Sequence, residues 1–147
     1  MPPGYTLVTN LRKEALHMTM GKVVNRAMDL SQMELIGNLK RNSPVDEGYM
    51  QGSWFPLRFS TLNRMVRSSA KYTPFVNDGT GIYGPKGQRI RPKNKKVLAF
   101  QYKGAKVVVK SVKGIKPRRF VEKSITQTEK RSDEFVIRAA MEFKGLL

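Results

Sequence analysis

Gly79-Thr80-Gly81-Ile82-Tyr83-Gly84 spells G-x-G-x-x-G, the pattern that lets a backbone close on a pyrophosphate in dinucleotide-binding proteins. That chemistry needs a strand before the glycines, a helix opening from them and an acid about 20 residues further on. Here Pro85, Gly87 and Pro92 forbid the helix, and the next acid is Glu122. A phosphate-binding P-loop fails as well, because Pro85 stands where the lysine is needed. His17 is the only histidine, so no second imidazole shares a metal or a proton with it. Asp46, Glu47 and Asp78 are the only acids in the middle of the chain. They would hold a divalent ion only if folding gathered them. The plainer reading is a loop cap at Asp46 and a turn residue at Asp78. Serines are plentiful, but none has a partner for nucleophilic activation. No catalytic residue, cofactor or metal is expected.

The stronger chemical signal is charge. From residue 79 to residue 121 there is no acid, and Lys86 to Arg119 holds 13 lysines and arginines in 34 residues. The candidate contact residues are Lys86, Arg89, Arg91, Lys93, Lys95 and Lys96 on one loop, with Lys113, Lys116, Arg118 and Arg119 on a second. Three readings stay open: phosphate contact, a solvated face that keeps the protein in solution, and docking on acidic neighbouring subunits. Tyr83 offers a ring on which a base could stack. Aromatic residues are otherwise sparse in the loop, which weakens single-strand recognition by stacking.

These residues sit in a chain of 147 with a net charge of +17 and no cysteine. The length suits one domain with a real core, and no disulfide or thiolate-bound zinc is possible. No run approaches the ~18 apolar residues of a membrane span. Met1-Pro2-Pro3-Gly4-Tyr5 lacks the basic and apolar regions of a signal peptide.

The elements that must position the charges follow from periodicity. Residues 1–9 read as an extended arm, with Asn10 as a helix cap and Glu14 near the helix start. Met20, Val24, Met28, Leu35 and Leu39 mark one face of a long helix, which Asn42-Ser43-Pro44 stops. From Trp54 the period becomes two, giving a strand, a turn at Thr61-Leu62-Asn63 and a returning strand from Arg64 to Ser69. Residues 70–80 form a short connection. Residues 79–96, with four glycines, two prolines and six basic residues, form a long flexible loop. Val97 to Tyr102 and Ala105 to Val112 make a second hairpin about Lys103-Gly104, with Val107 and Val109 on one face and Lys106, Val108 and Lys110 on the other. Val121, Ile125, Thr128, Ser132, Phe135, Ala139 and Phe143 line a single final helix, and Gly145 stops it. The expected fold is α+β: an antiparallel sheet of about four strands, covered on one face by the two terminal helices.

Three segments carry a family likeness. They are Asn42-Ser43-Pro44-Val45-Asp46-Glu47-Gly48-Tyr49-Met50-Gln51-Gly52-Ser53-Trp54, then Tyr72-Thr73-Pro74-Phe75-Val76-Asn77-Asp78-Gly79-Thr80, then Gly114-Ile115-Lys116-Pro117-Arg118-Arg119-Phe120-Val121. In this order the chain resembles the small tail-completion, or head–tail joining (neck), proteins of long-tailed bacteriophages. Their patterns are A-P-V-D-T-G-x-L-x-x-S, Y-x-x-x-V-E-x-G-T and P-x-x-P-F. Glu47 stands where Thr is usual, Asn77 where Glu is usual and Arg119 where Pro is usual.

The resemblance implies a structural virion protein, assembled in the host bacterial cytoplasm. It implies a homo-oligomeric ring, commonly hexameric, between the head connector or stopper and the tail tube, with DNA passing through its channel. It implies no catalysis, and it makes Asp46-Glu47-Gly48 and Asn77-Asp78-Gly79-Thr80 structural turns. A channel that conducts DNA should not grip phosphates, because contacts repeated around a ring add up. The basic block is therefore expected to face protein neighbours or a stationary DNA end. The rivals are a basic nucleic-acid-binding module, which rests on charge alone and lacks a recognised motif, and a small nuclease using Asp46, Glu47 or His17.

Overall fold

Helix α1 (Pro3–Asn42) runs without a break for 40 residues. In a computed structural model the described residues are 3–144, with side chains over 17–144. After α1 come a short helix α2 (Tyr49–Gly52), strands β1 (Trp54–Arg58) and β2 (Arg64–Ser68), and helix α3 (Thr73–Asp78). A 3-10 turn at Gly81–Tyr83 precedes strands β3 (Leu98–Tyr102) and β4 (Ala105–Val109) and helices α4 (Phe120–Glu129) and α5 (Ser132–Glu142). The fold is α+β with four strands in two antiparallel hairpins. The chain divides into two compact units, one up to Ser69 and again from Lys123, the other Ala70–Glu122.

In the first unit α1 packs on α2, on both strands of the first hairpin and on α5. The α1–α5 seam is made of small side chains, Val23 and Ala27 against Ala139, with Phe143 closing it. Small residues let two helix backbones approach closely, and the Arg26 guanidinium then reaches Glu142 at 2.7 Å. Leu39, Met50, Trp54 and Phe135 complete the buried apolar set. Polar side chains share the interior. The Asn38 amide donates to Thr128 Oγ1 at 2.9 Å, and the Asn42 amide donates to Ser124 Oγ at 2.9 Å. The Gln32 amide donates to the carbonyls of Leu57 and Met65, tying α1 to both strands. Arg64, whose side chain is 4% exposed, is held by Asp29 at 2.9 Å and by Asn25.

The C-terminal end of α1 is closed by its own sequence. The Ser43 hydroxyl donates to the Leu39 carbonyl at 2.6 Å and accepts the Trp54 indole N–H at 2.9 Å. Pro44 then removes the donor that the next turn would need. Lys40 and Arg41 fall in the last turn, where the helix dipole favours positive charge.

In the second unit, β3 and β4 turn through Lys103 (φ 49) and Gly104 (φ 80). Positive φ at both central residues is the twist-compatible hairpin turn. Val107 and Val109 are half-buried while Lys106 and Val108 are exposed, as the alternation predicts. Residues 79–96 are mostly irregular but tied down. Ile90 and Val112 exchange both backbone hydrogen bonds, at 2.9 and 3.0 Å.

Several expectations are corrected. Residues 3–9 are helical, not an extended arm, because Pro3 occupies the first helical position, where its missing N–H costs nothing. Asn10 and Glu14 are therefore interior positions of α1. The two hairpins are separate two-stranded sheets, not one sheet of four. Among the described side chains of α1 the buried ones are Thr19, Val23, Ala27, Asn38 and Leu39; of the expected face Leu39 is buried, whereas Met20 and Val24 are exposed. The final helix is two helices. Arg131 breaks it, donating its N–H to the Thr128 carbonyl while its guanidinium spans Glu34 and Glu134. The buried face of α4 is Phe120, Ser124 and Thr128 rather than Val121 and Ile125. Gly145 lies outside the described residues.

Candidate functional site

The second and third motif segments meet in Ala70–Glu122. The Thr80 N–H donates to the Ile115 carbonyl and the Ile82 N–H to the Lys113 carbonyl, both at 2.9 Å. The Ile115 N–H returns a bond to Thr80 Oγ1 at 3.0 Å. Two glycines make this crossing possible. Gly81 (φ 64) lies against Lys113, and Gly114 (φ 91) lies against Thr80. A Cβ on either would overlap the facing carbonyl oxygen. The G-x-G-x-x-G pattern thus serves a close approach of two backbone segments.

Beside the crossing, Asn77 is buried and fully engaged. Its side-chain oxygen accepts the Val121 N–H at 3.0 Å, and its amide donates to Glu122 Oε2 at 3.0 Å and to Asp78 Oδ1 at 2.8 Å. The backbone N–H groups of Arg118 and Arg119 donate to the carbonyls of Val76 and Asn77. Glu122 is held below the usual carboxylate range first by its own backbone N–H, then by the Asn77 amide and the Arg119 guanidinium. Burial opposes the shift. Arg119 has φ 50, a value that a proline ring cannot adopt. Asn77 and Arg119 are therefore parts of one network with Glu122.

This knot positions a cleft of about 570 Å³. Its apolar walls are Pro74, Phe75, Pro85 and Ile90, and Lys86, Arg89, Arg91 and Lys93 contribute four cations. Phe75 is 60% exposed. Arg89 donates to Ser111 Oγ at 3.0 Å, and among the described residues no ion pair engages any of the four cations. Asp78 is the one acid in the lining, and Arg119 stands 3.5 Å from it.

The ten predicted basic residues therefore separate. Lys86, Arg89, Arg91 and Lys93 share the cleft, while Lys95 and Lys96 are exposed on the same segment beyond it. Lys113 and Arg118 are exposed near the crossing. Lys116 places its ammonium 5.9 Å from the centre of the Tyr83 ring, so that ring carries a cation rather than an open stacking face. Arg119 is committed to Asp78 and Glu122. Sequence reasoning missed Phe75 and Ile90 as cleft walls. The available signal was a phenylalanine directly after Pro74 in a helix too short to bury it.

His17 is exposed, as are Asp46 and Glu47. Among the described residues no group of three or more His, Asp or Glu side chains could hold a metal ion, and no helix is long and apolar enough to cross a membrane. Apolar walls with unpaired cations suit a ligand that brings both a greasy side chain and negative charge. Comparison with protein families, with curated proteins and with solved structures finds no match to this chain.

Proposed function

We propose that this protein is a structural component of a tailed-phage virion, assembling as a ring that joins the head connector to the tail tube around the DNA channel. The observation that carries the assembly half of this reading is the poor core of Ala70–Glu122. Ala70 and Phe120 are its only buried apolar side chains, while Phe75, Ile82, Ile90, Phe100, Tyr102, Val108 and Ile115 are all more than a third exposed. An isolated two-stranded hairpin is marginal in water, and so much uncovered apolar surface calls for a neighbour. The motif order supports the phage half. Within the three segments Ser43 closes the end of α1 on the Leu39 carbonyl, Asn77 accepts the Val121 N–H, and Gly114 allows the crossing.

The test is the native mass of the purified protein, with particle images, across concentration and salt. Closed particles of several copies with a central hole are expected. A chain that stays monomeric at hundreds of micromolar yet binds duplex DNA tightly at physiological salt would instead be a nucleic-acid-binding module.

A further inference from the structure

The charge balance of the surface narrows what the cleft takes. Most carboxylates in the described structure are already paired: Asp29 with Arg64, Glu34 with Arg41 and Arg131, Asp78 and Glu122 with Arg119, Glu134 with Arg131, and Glu142 with Arg26. Asp46 and Glu47 are the one adjacent pair of carboxylates, among the described residues, with no hydrogen bond or ion pair. They lie between α1 and α2, next to Val45, which is 67% exposed. The loop that carries them is pinned at its base. Ser43 is locked to Leu39 and Trp54, Met50 is buried, and the Gln51 amide donates to the Lys40 carbonyl at 3.1 Å. A tip held this way loses little freedom on docking, which favours its use as a contact.

The cleft is its chemical complement, with two pairs of apolar walls and four cations against one valine and two carboxylates. We propose that Val45, Asp46 and Glu47 of one copy seat in the cleft of the next copy, Val45 against Phe75 and Ile90 and the carboxylates against Arg89, Arg91 and Lys93. The inference rests on the ring reading and specifies its contact. The surfaces joined are different patches of the same chain, so the contact is heterologous, and such contacts close into rings when the rotation between copies permits. Nucleic acid fits the cleft less well. Asp78 stands in the lining, and Phe75 is the single aromatic ring among walls otherwise made of proline and aliphatic surface, too few for a stacking platform.

The test uses full-length chains and their native mass. D46K/E47K should raise the concentration needed for half-assembly by ~100-fold, about tenfold for each lost carboxylate contact. R89E/R91E/K93E should do the same. A chain carrying both sets should assemble again near the wild-type concentration, because the two charges have exchanged places. D46N/E47Q and R89Q/R91Q/K93Q give a smaller loss in the same direction and serve if a reversal fails to fold. Wild-type assembly that survives D46K/E47K overturns the contact and leaves the ring reading standing. A wild-type chain that never self-associates overturns both. Duplex DNA binding that is lost in R89E/R91E/K93E while assembly persists makes the cleft a phosphate site, and also overturns the contact.

Discussion

Replacing Gly81 by alanine tests the crossing that builds the cleft. Gly81 has φ 64, and its missing Cβ is where the Lys113 carbonyl oxygen lies. Two costs add. An L-residue in the left-handed region costs about 1 kcal/mol. The overlap must then be relieved by separating the segments, which threatens the Ile82–Lys113 and Thr80–Ile115 backbone bonds and the Ile115–Thr80 side-chain bond. At about 1 kcal/mol net for each bond, losing two or three brings the total to about 3–4 kcal/mol. Gly87 is the control. Its φ is 58, nearly the same, and nothing lies within 4 Å of a Cβ placed there. Gly87→Ala should therefore cost about 1 kcal/mol, the backbone share alone. Native-state hydrogen exchange at the Thr80 and Ile82 amides reads the difference locally. Protection should fall steeply in Gly81→Ala and barely change in Gly87→Ala. Equal losses in the two variants would refute the close-approach argument and leave only backbone strain.

Other expectations follow from the packing and the ion pairs. Phe135→Ala removes a side chain 7% exposed, and should cost ~3–5 kcal/mol in chemical unfolding. Asp29→Ala takes the carboxylate from Arg64, which is 4% exposed, and should cost ~2 kcal/mol, reduced from a fully buried pair because Asp29 is 34% exposed. Glu142→Ala breaks an even shorter pair with Arg26, but both side chains are 37% exposed, so the unfolding midpoint should hardly move. Glu122 has a lowered folded pKa, so its contribution is complete above the ordinary glutamate range near ~4.3 and is lost as pH falls through the lower folded value. Urea melts across that acid range should show a slope that Glu122→Gln reduces, leaving the share of Glu142, whose pKa is lowered first by its hydrogen bond with Arg26.

The turns were legible in the sequence, and the helix faces only in part: Leu39, Thr128, Phe135 and Ala139 are buried as their spacing predicts, while the rest of the α1 and α4 faces differ. Thr61-Leu62-Asn63 and Lys103-Gly104 each reverse the chain where their residue types predict, because turn geometry is a local property. Helix faces depend on partners. Asn38 and Ser124 are buried with hydrogen bonds across α1 and α4, to Thr128 and Asn42, while Met20 and Val24 lie exposed one position away from the true seam. A hydrophobic pattern cannot register a seam sealed by amides and hydroxyls. The break at Arg131 is silent for a similar reason: neither proline nor glycine marks it, and its anchor is Glu34, nearly a hundred residues earlier. The cleft was half legible. Its cations stood out as a run, but Phe75 and Ile90 join them only because Gly81 and Gly114 let two distant segments cross.

Where the cations stand bears on the proposed DNA channel. A ring that conducts DNA gains nothing from cations that bind phosphate in every copy, since the contacts multiply and hold the strand. Four of the ten candidate cations stand beside apolar walls in a cleft, and a fifth, Arg119, is spent on Asp78 and Glu122. Apolar walls exclude water from a docked peptide, which strengthens each ion pair they flank and fixes its position. The same walls offer nothing to a sugar–phosphate backbone. The steepness of the salt effect separates the two roles. Screening weakens a carboxylate–guanidinium contact between copies, while the contribution of the Val45 side chain survives it. Assembly through the cleft should therefore weaken gradually with salt. Phosphate binding should instead fall steeply, in proportion to the number of counterions released.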